Sequence, residues 1–389
     1  MKAITRRTFL RGAAIAPLAS QQWLAQSAEN ATSRLLYIGT QTVAPSTSKG
    51  IYVCSFDTAT GKVSHLRVAA ETPNPTFLAL APSKLFLFAA HETDEYKNEK
   101  SGSVSGFRNH REVSELSPLN EVSAKGAGTC HVAVDHTGRC LFAANYTGGS
   151  AASFRIAADG RLSEAVSEFH YPGHGSNADR QEQSHAHRAT VSPDNRYVYI
   201  NDLGLDRIHS YRLDAATATL TPGDPTEWVS SPGSGPRALQ FHPSGRWAYC
   251  VCELNSTVVV LKWSAANGEL APIQSLPLLP EGMPQGNSTG CDIVFDSKGE
   301  YAHAANRGDD FIATLKVDSA SGKLELLERT TCGGRTPRHL ALDPSNRWLL
   351  VANQASDSVA VLSRNPKTGR LGQHAELFTV SRPQCLVFG

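Results

Sequence analysis

His185 and His187 are separated by a single residue in the stretch SHAHRATVSPDNRYVYINDLG, residues 184–204, just before an apolar run that predicts a β-strand. Imidazoles bind transition metals and transfer protons near neutral pH. Side chains two residues apart on a strand point to the same face of the sheet. The chemistry of the pair therefore depends on what that face contacts.

Metal binding is one interpretation of this stretch, because His174, Asp179 and Glu182 lie a short distance upstream and offer further zinc ligands. An H-x-H pair without a third ligand at fixed spacing is, however, a weak metal signature. We therefore predict that the protein binds no metal and no cofactor.

A repeated pattern along the chain indicates which elements position these residues. Six units share an apolar strand, a turn of Pro, Asp, Ser or Gly, and a second apolar strand; examples are HRATVSPDNRYVYINDLG, PRALQFHPSGRWAYCVCEL and PRHLALDPSNRWLLVANQ. A third strand and a Gly-containing turn follow. Four short antiparallel strands in a unit of roughly 50 residues are typical of a β-propeller blade.

The two ends of the chain predict a seventh unit. The C-terminal PQCLVFG matches the first strand of the unit, and RLLYIGTQT and GIYVCSFDTATGKV near the N-terminus match the second and third. A blade shared between the termini closes the ring and removes an open sheet edge. The predicted fold is therefore an all-β, seven-bladed β-propeller with four-stranded blades over residues 29–389. A string of immunoglobulin-like sandwiches is the alternative.

The repeat also predicts where side chains converge, because corresponding residues of all blades surround the same central channel. We predict two rings at one mouth of this channel. The first ring contains Thr76, Cys130, His187, Arg237, Cys291, Arg338 and Gln384. The second ring lies at the end of the following strand and contains Gln41, Glu92, Tyr146, Leu203, Glu253, Arg307 and Gln354.

These rings combine guanidinium, imidazole and carboxylate groups. Arginine recognises carboxylates and phosphates at two points, and histidine or glutamate can transfer protons, so we predict an anion-binding pocket with acid–base groups. The alternative is that Arg237, Glu253, Arg307 and Arg338 form structural ion pairs between blades. No G-x-S-x-G motif or comparable nucleophile signature occurs, so water or a group of the substrate would act as the nucleophile.

A long connection precedes the two histidines. Residues 169–184 are rich in Gly, Ser, Asn and Gln and form a longer link than those between the other units. We expect this segment to be a loop over the channel mouth, with His185 as a supporting residue at its end.

The N-terminus has the form of a twin-arginine export signal, with Arg6 and Arg7 before an apolar, Ala-rich stretch. We predict that residues 1–28 are removed on export, to the periplasm or beyond. No run approaches the roughly 20 apolar residues of a membrane span. The 37 basic and 36 acidic residues nearly cancel, which argues against a nucleic-acid partner. The eight cysteines permit disulfides, but most lie in apolar strands where buried thiols are equally expected.

Two stretches, RQEQSHAHRATVSPDNRYVYINDLGLDRI and GSGPRALQFHPSGRWAYCVCELNSTV, carry a family likeness. With the repeats, they make the chain resemble the seven-bladed propeller lactonases, which include the propeller type of 6-phosphogluconolactonase and the carboxy-cis,cis-muconate cyclase. The resemblance implies catalytic roles for His187, Arg237, Glu253 and Arg307. Further polar residues of the two rings, together with His185, are candidate substrate-binding residues: Arg338, Tyr146, His185, Gln354 and Glu92.

The activity that the resemblance implies is hydrolysis of a sugar lactone without metal or cofactor. His187, with Glu253 as a further candidate, would activate water, while Arg237 and Arg307 would hold the substrate and stabilise the oxyanion. The export signal favours an unphosphorylated aldonolactone over 6-phosphogluconolactone. A muconate-lactone cyclase or isomerase and a non-catalytic propeller that binds an anionic ligand are the alternatives. Closure of the repeat within one chain favours a monomer.

Overall fold

The structure is a computed structural model that describes residues 32–389. It contains seven sheets, each of four antiparallel strands, and one short 3-10 helix at Gln354–Ser356. The predicted all-β, seven-bladed propeller is thereby confirmed. The export signal assigned to residues 1–28 lies outside the described residues.

Blades are numbered here in chain order. Blade 1 consists of β1 (Ser33–Thr40), β2 (Gly50–Asp57), β3 (Val63–Glu71) and the C-terminal β28 (Pro383–Phe388). Blade 2 consists of β4 (Pro75–Leu80), β5 (Phe86–His91), β6 (Ser103–His110) and β7 (Glu115–Ser123). Blade 3 consists of β8 (Thr129–Val134), β9 (Cys140–Asn145), β10 (Ser150–Ile156) and β11 (Leu162–His170). Blade 4 consists of β12 (Ala186–Val191), β13 (Tyr197–Asp202), β14 (Arg207–Asp214) and β15 (Thr219–Val229).

The remaining three blades follow the same order. Blade 5 consists of β16 (Pro236–Phe241), β17 (Trp247–Cys252), β18 (Thr257–Trp263) and β19 (Leu270–Pro277). Blade 6 consists of β20 (Thr289–Phe295), β21 (Tyr301–Arg307), β22 (Phe311–Val317) and β23 (Leu324–Thr331). Blade 7 consists of β24 (Pro337–Leu342), β25 (Trp348–Asn353), β26 (Ser358–Arg364) and β27 (Leu371–Thr379).

Burial changes from the centre of each blade to its rim. All six residues of β13, YVYIND, are buried because neighbouring blades cover both faces of this strand. Residues of the rim strand β11, LSEAVSEFH, alternate between more and less exposed, as expected for a strand with one covered face. The cores therefore lie between blades; one of them joins Tyr249 and Val260 of blade 5 to Ala304 and Leu315 of blade 6.

The shared blade closes the ring as predicted. Strand β1 pairs with β28 so that Leu36 faces Phe388 and Ile38 faces Leu386. This pairing covers the edge of β1 with the last strand of the chain, and Leu386 joins an apolar cluster formed with blade 7.

A β-bulge interrupts the innermost strand of every blade at the position of the first predicted ring. In β12, for example, the pairing shifts between Ala186 and Arg188, so that His187 has no partner on β13. The same shift occurs at the corresponding place in the other six blades. A bulge breaks the strict alternation of side chains, so consecutive residues can both face the channel.

The structure also answers a question about the cysteines that the sequence left open. All eight cysteines are buried and free, which decides between buried thiols and disulfides in favour of thiols. Among residues 32–389, no helix has the length and apolar character that crossing a membrane requires.

Shortening a core side chain in the closing strand should loosen the ring. Leu386 is only 2 % exposed, whereas Leu377 on the neighbouring blade 7 is 55 % exposed. We expect Leu386→Ala to lower the free energy of unfolding by about 2–5 kcal/mol, and the matched Leu377→Ala by less than about 0.5 kcal/mol. Urea denaturation followed by tryptophan fluorescence measures both. Equal effects of the two substitutions would show that the C-terminal strand does not hold the ring closed.

Candidate active site

One cavity lies in the central channel, and six of the seven residues of the first predicted ring line it. They are Thr76, Cys130, His187, Arg237, Arg338 and Gln384. The seventh, Cys291, accepts a hydrogen bond on its carbonyl oxygen from Nη1 of Arg237. All seven blades therefore meet at this cavity. The volume that the centres of water molecules can occupy in it is about 20 Å³.

Glu253 organises the mouth of the channel. Its carboxylate is 3 % exposed and contacts three guanidinium groups. Oε2 lies 2.7 Å from Nη2 of Arg307 and 2.9 Å from Nε of Arg237, and Oε1 lies 2.5 Å from Nη2 of Arg180. The Nε–H of Arg237 points away from the line of a hydrogen bond, so this contact is an ion pair only.

These contacts determine the protonation of Glu253. Burial would raise the pKa of its carboxyl, but the charges of Arg307 and Arg237, aided by Arg180, outweigh burial and hold the pKa well below its usual range. A carboxylate so strongly stabilised by three cations is a weak proton acceptor. This environment does not suit the water-activating role that the sequence left open for Glu253; it suits a group that fixes arginines in place.

His187 is the neutral member of this cationic ring. Burial and the charges of Arg237 and Arg338 lower the pKa of its imidazole well below the ordinary value. Nδ1 lies 3.8 Å from Sγ of Cys130, and the ring meets that of Tyr146 edge-on at 5.4 Å. Nε2 has no hydrogen-bond partner within residues 32–389 and belongs to a side chain that lines the cavity. The imidazole is therefore a neutral base with a free nitrogen.

His185 does not share this environment. Its ring stacks on Tyr146 at 4.3 Å, Nδ1 donates a hydrogen bond to the Tyr146 carbonyl oxygen at 3.0 Å, and Nε2 lies 3.2 Å from the Glu182 carboxylate. Both ring nitrogens are thus occupied beside the cavity rather than in it. This position agrees with the supporting role expected for His185. Tyr146 lies between the two histidines and contacts both rings.

Arg338 differs from the other arginines of the mouth. Its side chain makes no ion pair and no hydrogen bond with any described residue, although it lines the cavity. Arg237 and Arg307 are held by Glu253 as the structural-pair alternative expects, but Arg338 is not. It is therefore the guanidinium available for a ligand.

The other predicted binding residues lie at the mouth without entering this cluster. Nε2 of Gln354 donates to Oε1 of Gln41 at 3.4 Å, which joins blades 7 and 1. The carboxylate of Glu92 has no ion-pair partner among the described residues; its charge adds to burial in raising the pKa of the Cys130 thiol to about 12. Leu203 is fully buried.

A second layer of the channel was missed by the sequence analysis. Five residues that directly follow ring positions also line the cavity: Phe77, His131, Arg188, Asp292 and His339. Arg188 and Asp292 form an ion pair of 2.8 Å across blade 5, where the corresponding residue is the small Ala238. The signal was present in the aligned repeats, but strict strand alternation would send these residues away from the channel. The bulges bring them in.

The loop over the mouth is confirmed in outline, with one change and one addition. Strand β11 runs to His170, so the loop begins at residue 171 rather than 169. Arg180 projects from this loop to Glu253 of blade 5, and its Nη2 lies 3.5 Å from the Tyr146 hydroxyl of blade 3. Arg180 occupies no position of the repeat, so the register could not reveal it.

The alternative interpretation of the H-x-H stretch is a zinc site. Within residues 32–389, no three or more His, Cys, Asp and Glu side chains are grouped so as to hold a metal ion. His174, one of the three further ligands considered, is exposed in the loop, where Nδ1 contacts the Gly175 carbonyl oxygen at 3.0 Å.

Fold and site together define a seven-bladed propeller whose channel mouth presents an ion-paired arginine cluster, a free arginine and a neutral histidine. Residues 35–388 match the family model "Lactonase, 7-bladed beta-propeller". The chain belongs to this lactonase family, as its resemblance implied.

Individual relatives agree with this placement. A Bacillus subtilis protein named 6-phosphogluconolactonase is 32 % identical over 357 residues, covering 92 % of this chain and 99 % of that protein. A Formosa agariphila protein of the same name is 29 % identical and covers 83 % of this chain and 90 % of its own length. The solved structure of the Pseudomonas aeruginosa periplasmic gluconolactonase is similar with a TM-score of 0.85 and 35 % identity, covering 92 % of this chain and 99 % of that one.

Removing the central carboxylate should destabilise the protein. Glu253→Gln leaves Arg237 and Arg307 without a counter-charge, and we expect a loss of about 3–5 kcal/mol in the free energy of unfolding near pH 7. Glu71→Gln is the control, because its ion pair with Lys49 is exposed and should contribute less than about 1 kcal/mol. Urea denaturation of both variants measures the difference.

The pH dependence supplies a second readout for this prediction. The folded-state pKa of Glu253 is lowered, so its stabilisation is complete above the unfolded value of about 4.3 and is lost as the pH falls through the folded value. The difference in the free energy of unfolding between wild type and Glu253→Gln should therefore become smaller below about pH 4. A difference that is small at pH 7, or that becomes larger on acidification, would contradict the stabilising role of the Glu253 carboxylate.

Proposed function

We propose that this protein hydrolyses the ester of an unphosphorylated aldono-1,5-lactone to the open aldonic acid, outside the cytoplasm. The observation that carries the proposal is the pairing of a neutral, unpartnered imidazole nitrogen with an uncompensated guanidinium in one cavity, His187 with Arg338. An ester hydrolase needs these two groups: one to take a proton from water and one to stabilise the negative charge on the carbonyl oxygen.

The reaction would proceed in two proton-balanced steps. Water attacks the lactone carbonyl carbon while Nε2 of His187 takes one of its protons, and the carbonyl oxygen becomes the oxyanion of a tetrahedral intermediate. Arg338 stabilises this oxyanion, together with Arg237, which also lines the cavity. The ring C–O bond then breaks, and the leaving alkoxide takes the proton back from the His187 imidazolium.

Low basicity of His187 is compatible with this mechanism. The same cations that lower its pKa keep the imidazole neutral at and well below pH 7, so the whole population is ready to accept a proton. Once the oxyanion forms, its negative charge offsets part of the cationic field and makes the imidazolium easier to form. Arg307, which does not line the cavity, would act by holding Glu253 and through it Arg237.

Three observations support the choice of substrate and compartment. The Pseudomonas aeruginosa relative is named a periplasmic gluconolactonase, and residues 1–28 of this chain have the form of a twin-arginine signal. The eight buried thiols are also compatible with an oxidising compartment, since burial keeps them from thiol–disulfide exchange.

Because every residue that lines the cavity comes from one closed ring, we expect the monomer to be the active form.

The test is a pH-stat assay of base consumption with glucono-1,5-lactone and with its 6-phosphate, corrected for spontaneous hydrolysis. We expect the wild type to hydrolyse the unphosphorylated lactone with the higher kcat/KM. Substitution of His187 by Gln should lower kcat by about 10²–10⁴-fold because the proton acceptor is lost. The matched control is His374→Gln, an exposed histidine on β27, the outermost strand of blade 7, which should retain wild-type activity.

Each unexpected result would remove a different part of the proposal. Absence of turnover with both lactones would contradict the lactonase activity. Normal turnover by the His187→Gln variant would contradict only the assignment of the base. A clear preference for the 6-phosphate would contradict the unphosphorylated substrate, and a full-length precursor retained in the cytoplasm would contradict the export.

A further inference from the structure

Two polar atoms of the channel have no partner in the described part of the chain, one on His131 of the second layer and one on Thr76 of the first ring. Nε2 of His131 and Oγ1 of Thr76 are buried and have no hydrogen-bond partner among residues 32–389. The two side chains are 5 % and 3 % exposed, and both line the channel cavity. Buried polar groups are nearly always hydrogen-bonded, so two orphans in one cavity indicate that a further molecule supplies the partner.

The hydrogen bonds of His131 define what its free nitrogen offers. Nδ1 accepts a hydrogen bond from the Ala189 backbone N–H at 3.4 Å, which assigns the proton of a neutral ring to Nε2. Burial and the nearby charge of Arg188 lower the pKa of this imidazole well below the ordinary value, so it stays neutral. Nε2–H is therefore a fixed neutral donor, and it needs an acceptor.

The surroundings restrict the ligand to a neutral group. Arg188 carries the only guanidinium among the described residues of the second layer, and it is already paired with Asp292 at 2.8 Å. The same carboxylate lies 3.8 Å from Nε2 of His339. One cation and one anion balance each other in this layer, and the other arginines of the cavity, Arg237 and Arg338, belong to the first ring. A neutral oxygen therefore suits the His131 donor. The ring of Phe77 covers His131, with 4.0 Å between ring centroids, and makes that wall apolar.

Size restricts the ligand further. The room for water centres, about 20 Å³, only slightly exceeds the roughly 10–15 Å³ that a single water requires. Only one hydroxyl-sized oxygen fits in this space, so a lactone whose ring lies at the channel mouth can place a single hydroxyl group there. Such an oxygen can accept from His131 and can either donate to or accept from the Thr76 hydroxyl.

We propose that His131 and Thr76 form a subsite for a single neutral oxygen, below the arginines of the channel mouth. Two sources share this chemistry: a hydroxyl group of the lactone substrate, or a water retained in the enzyme. The subsite rests on the proposed lactone hydrolysis for its role, but not for its existence. A substrate hydroxyl here would make the enzyme selective for hydroxylated lactones.

The test compares two substrates on two variants. Glucono-1,5-lactone carries hydroxyl groups, whereas δ-valerolactone has the same six-membered ester ring without them. His131→Leu removes the donor, Thr76→Val removes the hydroxyl at nearly constant shape, and Thr76→Ser retains it as the matched control. Thermal unfolding of each variant shows that the fold is kept before kcat/KM is measured by base consumption.

The kinetic results distinguish a substrate hydroxyl from a retained water in the subsite. If the ligand is a substrate hydroxyl, His131→Leu and Thr76→Val lower kcat/KM for glucono-1,5-lactone about tenfold or more and leave δ-valerolactone within about twofold. If it is a retained water, both lactones lose activity equally. Unchanged kcat/KM for both substrates in folded variants would overturn any role of the subsite in the reaction.

A second measurement does not depend on activity or on the stability of a variant. A high-resolution crystal structure of the wild type, alone and with gluconate, should show an oxygen within about 3.2 Å of Nε2 of His131 in at least one of the two states. Empty density there in both states would overturn the subsite. If the wild type hydrolyses no lactone, the proposed activity fails, while this structure still decides whether the subsite exists.

Discussion

The Glu253 carboxylate gathers three guanidiniums from separate parts of the chain: Arg180 from the loop before blade 4, Arg237 from blade 5 and Arg307 from blade 6. One carboxylate cannot neutralise three cations, so the mouth keeps a positive field. Long arginine side chains lose rotamer freedom when they are fixed, and the ion pairs supply the interaction that fixes them. The loop, two blades and the cationic character of the mouth thus depend on one buried group.

The field around Glu253 explains why the neighbouring groups differ in role. His187 remains a neutral imidazole because it is buried and cations surround it. Arg338 lines the same cavity and remains free because none of the described carboxylates forms an ion pair with it. Ion pairing and the proposed catalysis are therefore compatible interpretations of the arginines. Two of the ring arginines, Arg237 and Arg307, are fixed by Glu253, and Arg338 is free for the proposed stabilisation of the oxyanion.

The repeat made the fold and the first ring predictable from sequence, because each blade contributes the same position to one axis. His187, Arg237 and Arg338 line the cavity for this reason. Residues outside the register, such as Arg180, were not predictable, since only the folded loop brings its guanidinium to Glu253. His131 was missed for another reason: a β-bulge at the preceding residue breaks the alternation on which strand interpretation relies.

The reacting ester is proposed to lie beside His187 and Arg338, and the product of the reaction tests this placement most directly. A crystal structure with bound gluconate should show its carboxylate at the channel mouth, with an oxygen within hydrogen-bond distance of the Arg338 guanidinium and the carboxyl carbon facing Nε2 of His187. Gluconate bound elsewhere on the propeller, with an unoccupied channel mouth, would contradict the account.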